Sequence, residues 1–212
     1  GTPQFAAPSL KALIDEKEDI ALVVTQPDKV KGRGHVLSSP PVKELALSNN
    51  IKVLQPSKIR DENFYNELLA INPEFIIVVA YGKILPNKIL NLPKFGCINA
   101  HASLLPKYRG AAPIQWALIN GEKITGITTM LMDEGQDTED ILLQSEIKIH
   151  DDDNAETLSK KLSELGAKIL IETIRGMREG TIKPVPQTGQ ASYAKPLKKD
   201  DGRINWNKTA QE

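Results

Sequence analysis

The chain has 212 residues, of which 40% are hydrophobic and 25% charged, and its 27 basic and 27 acidic side chains cancel to a net charge of zero. That composition is ordinary for a globular α/β protein and excludes disordered, fibrous and disulfide-stapled classes. One cysteine, Cys97, allows no internal disulfide and points to a reducing compartment, and no run of eighteen or more apolar residues marks a membrane-spanning helix. A polyanionic partner would have to be met by a local cluster of charge, since the global field is neutral.

A helical pattern over 8–16 opens the chain, followed by an apolar run at 20–24 that reads as a buried strand. A helix at 41–48, with Val42, Leu45 and Leu47 apolar, leads to a short strand at 51–54. A helix at 63–69, an apolar run at 75–80, a strand at 97–100 running into His101 and a helix at 113–119 follow. Strand and helix alternating at this spacing predict a Rossmann-like α/β domain, an open and mostly parallel sheet with helices on both faces. The pattern then changes: 126–132 and 141–149 are longer extended runs around an acidic loop, 133–140. Asp153-Asn154-Ala155-Glu156 reads as a capping box opening a long helix with Leu158, Leu162, Leu165, Ile169 and Ile174 on one side and Gly180 as its stop. From 181 the periodicity dissolves into Lys-Pro-Val-Pro-Gln-Thr-Gly-Gln, which suits a linker or an extended strap.

Several chemistries lack their motifs. No Gly-x-Gly-x-x-Gly or Walker sequence follows a strand, and Gly32-Arg33-Gly34 stands in a Lys-rich stretch, the wrong setting for a pyrophosphate turn. No Cys/His set has metal-ligand spacing, and Asp151 to Asp153 are explained by helix capping and the helix dipole. Cys97, in an apolar run, reads as a small core thiol.

Asn99 and His101 remain, two apart at the carboxyl end of a strand and so on one face, where ligands sit in open α/β sheets. An amide there can donate to a carbonyl oxygen gaining charge, and an imidazole can donate or shuttle a proton. An aspartate from 133–140 would orient the imidazole. Such a trio suits transfer of an acyl or one-carbon group to an amine, with a solvated loop and a satisfied strand-end His as the plain alternative. Lys29, Lys31, Arg33 and Lys43 lie in a stretch with no acid between Asp28 and Glu44, which fits phosphate contact or a merely solvated loop.

The segments GTPQFAAPSLKAL, VVTQPDKVKGRG, AYGKILP, INAHASLLPKYRGAAPIQWALING, MDEGQDTEDIL and DGRINW together resemble the methionyl-tRNA formyltransferases, a branch of the 10-formyltetrahydrofolate-dependent formyltransferases. The resemblance implies transfer of a formyl group from N10 of 10-formyltetrahydrofolate to the α-amine of methionyl initiator tRNA, with no metal or nucleotide. It assigns Asn99, His101 and Asp137 to catalysis and Ser103, Leu104, Leu105 and Pro106 to the folate site, beside 81–86 and 133–140. Lys29, Lys31 and above all Arg33 would grip the tRNA. It further implies a catalytic domain over 1–185, whose first strand would precede Gly1, a linker over 186–196, and at 197–212 the start of a second, β-barrel domain. A monomer in the cytoplasm, or in an organelle, is expected. Two departures stand out. Glu139 replaces a glycine of the family, which would strain the loop if that position has φ > 0, and Gln4 replaces an acid. Glycinamide ribonucleotide and amino-sugar formyltransferases, formyl-folate hydrolases, a non-catalytic RNA-binding module and a nucleotide-dependent α/β enzyme are the rival readings.

Overall fold

The structure, a computed structural model, describes residues 1–31, 36–204, 206, 207 and 209. Gly32, Arg33, Gly34 and His35 of the basic stretch therefore lie outside the described residues, as does the side chain of Lys31.

Helix α1 (Ala7–Asp15), with Pro8 in its first turn, leads to strand β1 (Val23–Val24). The basic stretch is a two-stranded antiparallel ribbon, β2 (Lys29–Lys31) and β3 (Val36–Ser38), where a loop was expected. After α2 (Pro41–Ser48), β4 (Val53–Leu54) returns parallel to β1. Helix α3 (Glu62–Ile71) is capped by Asp61, whose carboxylate accepts from the Phe64 N–H at 3.1 Å, and it ends on Asn72 in the left-handed conformation. Strand β5 (Ile76–Val78), the short helix α4 (Asn87–Leu90), β6 (Cys97–His101), β7 (Arg109–Gly110) and α5 (Pro113–Ile119) follow.

Up to β6 the ladders within the main sheets are parallel, as the alternation predicts. Beyond it the sheet continues antiparallel, because β8 (Ile124–Leu131) and β9 (Ile141–Lys148) form a hairpin added to the edge of β6, in the order β5-β6-β8-β9. The fold is thus Rossmann-like α/β with mixed sheets. Helix α6 (Ala155–Glu179) then crosses one face and stops at Gly180, φ +71°. Its cap sits one residue later than expected: the Asn154 side chain receives the N–H groups of Glu156 and Thr157, and the Thr157 hydroxyl answers the Asn154 N–H. Asp153 instead holds Lys161 and the His150 N–H, which keep its carboxyl down at about 2. Finally β10 (Tyr193–Ala194) lies parallel to β7.

The sheet is covered on both faces. Ala100 and Ile127 pack under Leu158 and Leu162 of α6 and Leu10 of α1, and Val78 and Cys97 pack under Phe64, Leu68 and Ile89. Burying a leucine of this kind is worth about 1.5–3 kcal/mol. Successive residues of β6 divide between these layers, so Ile98 and Ala100 face α1 and α6 while Cys97, Asn99 and His101 share the other face. Between β1 and β5 there is no ladder, and an apolar cavity of about 430 Å3 opens there among Val23, Val24, Ile76, Ile77 and Val78. Gly1 enters it, with its amino nitrogen donating to the Val24 carbonyl at 3.2 Å and no room for a Cβ beside the Val79 carbonyl.

Candidate active site

His101 ends β6 and is only 7% exposed. Its Nε2 lies 2.9 Å from the Tyr108 carbonyl and its Nδ1 3.3 Å from Asp137 Oδ1. A carbonyl only accepts, so Nε2 carries a proton. Asp137 arrives from the loop between β8 and β9, which starts beside Cys97 and runs back along β6. Its second oxygen accepts the Gly110 N–H at 2.8 Å. Asn99, two residues before His101 on the same face, is half-buried, and its amide has no hydrogen-bond partner among the described residues. The three residues singled out from the sequence are therefore gathered at one strand end, two of them locked and one with its donor free.

Strained backbone marks the same place. Ala80, Tyr108 and Asp137 take φ of +46°, +58° and +57°, a conformation that costs non-glycine residues about 1–3 kcal/mol each. Tyr108 persists there because its polar groups are all engaged. Its carbonyl meets His101, its N–H donates to Ser192 Oγ at 2.9 Å, and its hydroxyl donates to Glu122 and receives Asn120. Gly110, φ +117°, has no room for a Cβ, which would stand 2.7 Å from the Ala194 carbonyl. The positive φ in the acidic loop falls on Asp137, not on Glu139, so the anticipated strain at Glu139 is absent. The consequence of that residue is electrostatic. Glu139 is 3% exposed with Oε2 unpartnered among the described residues, and burial, seconded by the Asp137 and Asp133 charges, raises its carboxyl above the usual range.

The turn after His101 is more structural than its expected role suggests. The Ser103 hydroxyl is spent on the Lys107 carbonyl at 2.6 Å. Leu105 is 3% exposed, its carbonyl held by Gln144 and its N–H donating to Thr128 Oγ1. Leu104 and Pro106 are half-exposed and line an open groove with Tyr108, Asn120 and Thr188. Tyr81, buried at the end of β5, is tied to the basic side of the molecule, since Gln26 Nε2 donates to its carbonyl at 2.7 Å. Lys29 is exposed on the ribbon. Lys43 is not available to a ligand, because it bridges Asp28 at 2.8 Å and Gln55 at 2.8 Å at the ribbon's base, and Lys43 foremost holds Asp28 below the usual carboxylate range. Arg33 lies outside the described residues.

Cys97 is wholly buried, and desolvation pushes its thiol up to about 12, which suits a core residue and not a nucleophile. Among the described residues no group of His, Cys, Asp and Glu is placed to hold a metal ion, and no helix is long and apolar enough to cross a membrane. Sequence reasoning missed Tyr108, which acts through its carbonyl and so leaves no side-chain signal. It also missed Gln187, whose amide touches the Asp137 loop from within the expected linker.

The chain matches the formyl transferase family model over residues 1–174. It is 66% identical over 212 residues to the methionyl-tRNA formyltransferase of Thermodesulfovibrio yellowstonii, covering 100% of this chain and 69% of that protein. It is 57% identical to that of Caldanaerobacter subterraneus subsp. tengcongensis, covering 99% and 69%. Among solved structures, a sugar 3N-formyl transferase determined in the presence of dTDP and 5-N-formyl-THF superposes with a TM-score of 0.71 at 24% identity, covering 99% of this chain and 73% of that one.

Proposed function

Because this chain belongs to the formyl transferase family, with methionyl-tRNA formyltransferases as its relatives, we propose the following reading of its chemistry. The protein transfers a formyl group from 10-formyltetrahydrofolate to the α-amine of methionyl initiator tRNA. The observation that carries the residue assignment is the Asn99 amide, without a hydrogen-bond partner among the described residues, beside a His101 ring bracketed by two acceptors.

The α-amine, with a reference pKa of about 7.7–8.0, is a competent nucleophile near neutral pH. Its nitrogen attacks the formyl carbon, a C–N bond forms, and the carbonyl oxygen becomes an oxyanion. Asn99 donates to that oxygen, and a protonated His101 beside it stabilises the charge. Asp137 holds the ring in place. Collapse breaks the bond to N10, and the Asp137 carboxylate takes the proton lost by the amine and passes it to N10 of the departing tetrahydrofolate, which restores the carboxylate. No covalent enzyme intermediate is needed.

In this reading Leu104 and Pro106 shape the folate wall, and Ser103 and Leu105 hold the turn that presents them. Lys29, Lys31 and Arg33 contact tRNA phosphates. Residues 1–185 form the catalytic domain, 186–196 connect it, and 197–212 open a second domain, which the greater length of the relatives supports. The slot between β1 and β5 receives a strand leading into Gly1, whose amino nitrogen donates to the Val24 carbonyl on one wall. The protein works as a monomer in the cytoplasm.

The test is formyl transfer from 10-formyltetrahydrofolate by the full-length protein offered methionyl initiator tRNA, glycinamide ribonucleotide, an amino sugar nucleotide or water. Formyl should reach the tRNA alone, and Asp137→Asn should lower kcat by about 10²–10⁴. Formyl on another acceptor, or turnover indifferent to Asp137, would overturn the assignment.

A further inference from the structure

We propose that the extended segment 185–195, through Gln187 and Ser192, is a positioning element for the transfer step, fixing the two acceptors that bracket His101. This rests on the formyltransferase reading above.

The segment is bound to the domain along its length. Val185 exchanges both backbone hydrogen bonds with Ile141, at 2.8 and 2.9 Å, and β10 pairs with β7. Trp116 Nε1 donates to the Lys195 carbonyl at 2.8 Å. These backbone and indole contacts would suffice to pin a connector. The side chains of Gln187 and Ser192 do something else.

Gln187 uses its whole amide. Nε2 donates to the carbonyls of Asp137 at 3.0 Å and Glu139 at 2.8 Å, and Oε1 accepts from Arg109 Nε at 3.2 Å and Nη2 at 2.7 Å. It therefore clamps the two carbonyls flanking Thr138, immediately after the residue whose backbone stands at φ +57°, and refers them to an arginine on β7. The carboxylate so placed is the one on His101 Nδ1. Ser192 serves the other nitrogen. Its Oγ accepts the N–H of Tyr108, itself at φ +58°, and its backbone receives the Arg109 N–H at 2.9 Å and donates to Pro106 at 3.2 Å. The Tyr108 carbonyl so placed is the one on His101 Nε2.

Two strained residues thus present the two acceptors, and one segment gives a side-chain hydrogen bond to the backbone of each. Left-handed backbone at a non-glycine residue persists only where its surroundings over-determine it. Removing either side chain lets one acceptor drift while the other stays. Neither Gln187 nor Ser192 touches the reacting atoms, so both act on rate through His101 and not on substrate affinity. Misplacement of a catalytic group by about 1 Å is enough to cost orders of magnitude in rate.

The experiment uses the full-length protein and the variants Gln187→Ala, Ser192→Ala and Ser192→Thr. Steady-state formyl transfer is paired with ¹⁵N chemical shifts of the His101 ring at fixed pH. Each alanine variant should lose about tenfold or more in kcat with KM for the formyl donor within about twofold, and Ser192→Thr, which keeps the hydroxyl, should recover most of the rate. Gln187→Ala should move chiefly the Nδ1 resonance and Ser192→Ala chiefly Nε2. If kcat stays within about twofold of the parent while only the melting temperature falls, or if Ser192→Thr fails to restore the rate, the segment is a structural strap and the proposal is overturned. A parent protein with no formyl transfer would sink the functional reading instead, and the ring shifts would still decide the positioning claim.

Discussion

The His101 end of the sheet and the basic ribbon β2–β3 are held by opposite means. Around His101 each polar group that orients the ring is itself anchored: Asp137 by the Gly110 N–H and Gln187, Tyr108 by Ser192, Glu122 and Asn120. Among the described residues the ribbon's strands pair only with each other, Val30 and Leu37 are more than half exposed, and Lys43, Asp28 and Gln55 moor its base. In the proposed reading the difference follows from what each has to do. A carbonyl under attack is stabilised by donors whose positions are set in advance, because their reorganisation would add to the barrier. Phosphates are met by charge, which acts over several ångströms and tolerates a loose scaffold.

The sharpest way to break this comparison is at Asn99. Its amide holds nothing among the described residues, so Asn99→Ala should leave the melting temperature close to the parent's while lowering kcat by about 10²–10³, the loss seen when one oxyanion donor is removed. Thermal melts beside single-turnover formyl transfer would check it. A stable variant of undiminished rate would mean that the locked end is scaffolding and the chemistry lies elsewhere.

Lys29→Ala tests the other side. It should raise KM for methionyl-tRNA severalfold, leave kcat nearly unchanged, and reduce the log–log dependence of tRNA affinity on salt by about one unit. Titration of fluorescent tRNA across a salt series reads the slope. An unchanged slope would show Lys29 to be merely solvated and would shift the contact to other residues of the ribbon.

How much of this was legible beforehand differs between the same two regions. The alternation of strand and helix, and the pairing of Asn99 with His101 on one face of β6, follow from period-two geometry and are visible in sequence. The antiparallel turn of the sheet after β6 is not, because an apolar run has the same composition whichever way its neighbour points. The ribbon was hidden too: its strands are only three residues each, below what periodicity can register. The cap of α6 was displaced by one residue because Asp153 and Asn154 are both good caps, and Lys161 claims the first. Tyr108 and Gln187 were hidden for another reason. One acts through its backbone and the other across a sequence separation of 50 residues to Asp137, and neither leaves a local pattern.

The smallest effect is the most specific to this chain. Glu139 is buried with one oxygen unpartnered among the described residues and two aspartates nearby, so its carboxyl is raised and the folded protein prefers it protonated. The unfolded chain releases that proton at about 4.3. Between that value and the raised one, the unfolded state binds fewer protons than the folded state, so the stability contributed by Glu139 falls as pH rises and stays lost above the window. Glu139→Gln keeps the shape and removes the charge. At neutral pH it should raise stability by about 1 kcal/mol, a few degrees in Tm for a chain of this size. Below about pH 4, where the parent's carboxyl is protonated in both states, the advantage should vanish. Matched melts at pH 7 and about pH 3.5 decide it. An equal Tm at neutral pH would mean that the carboxylate is paired after all. The loop carrying Asp137 would then owe part of its shape to Glu139, and not only to Gln187.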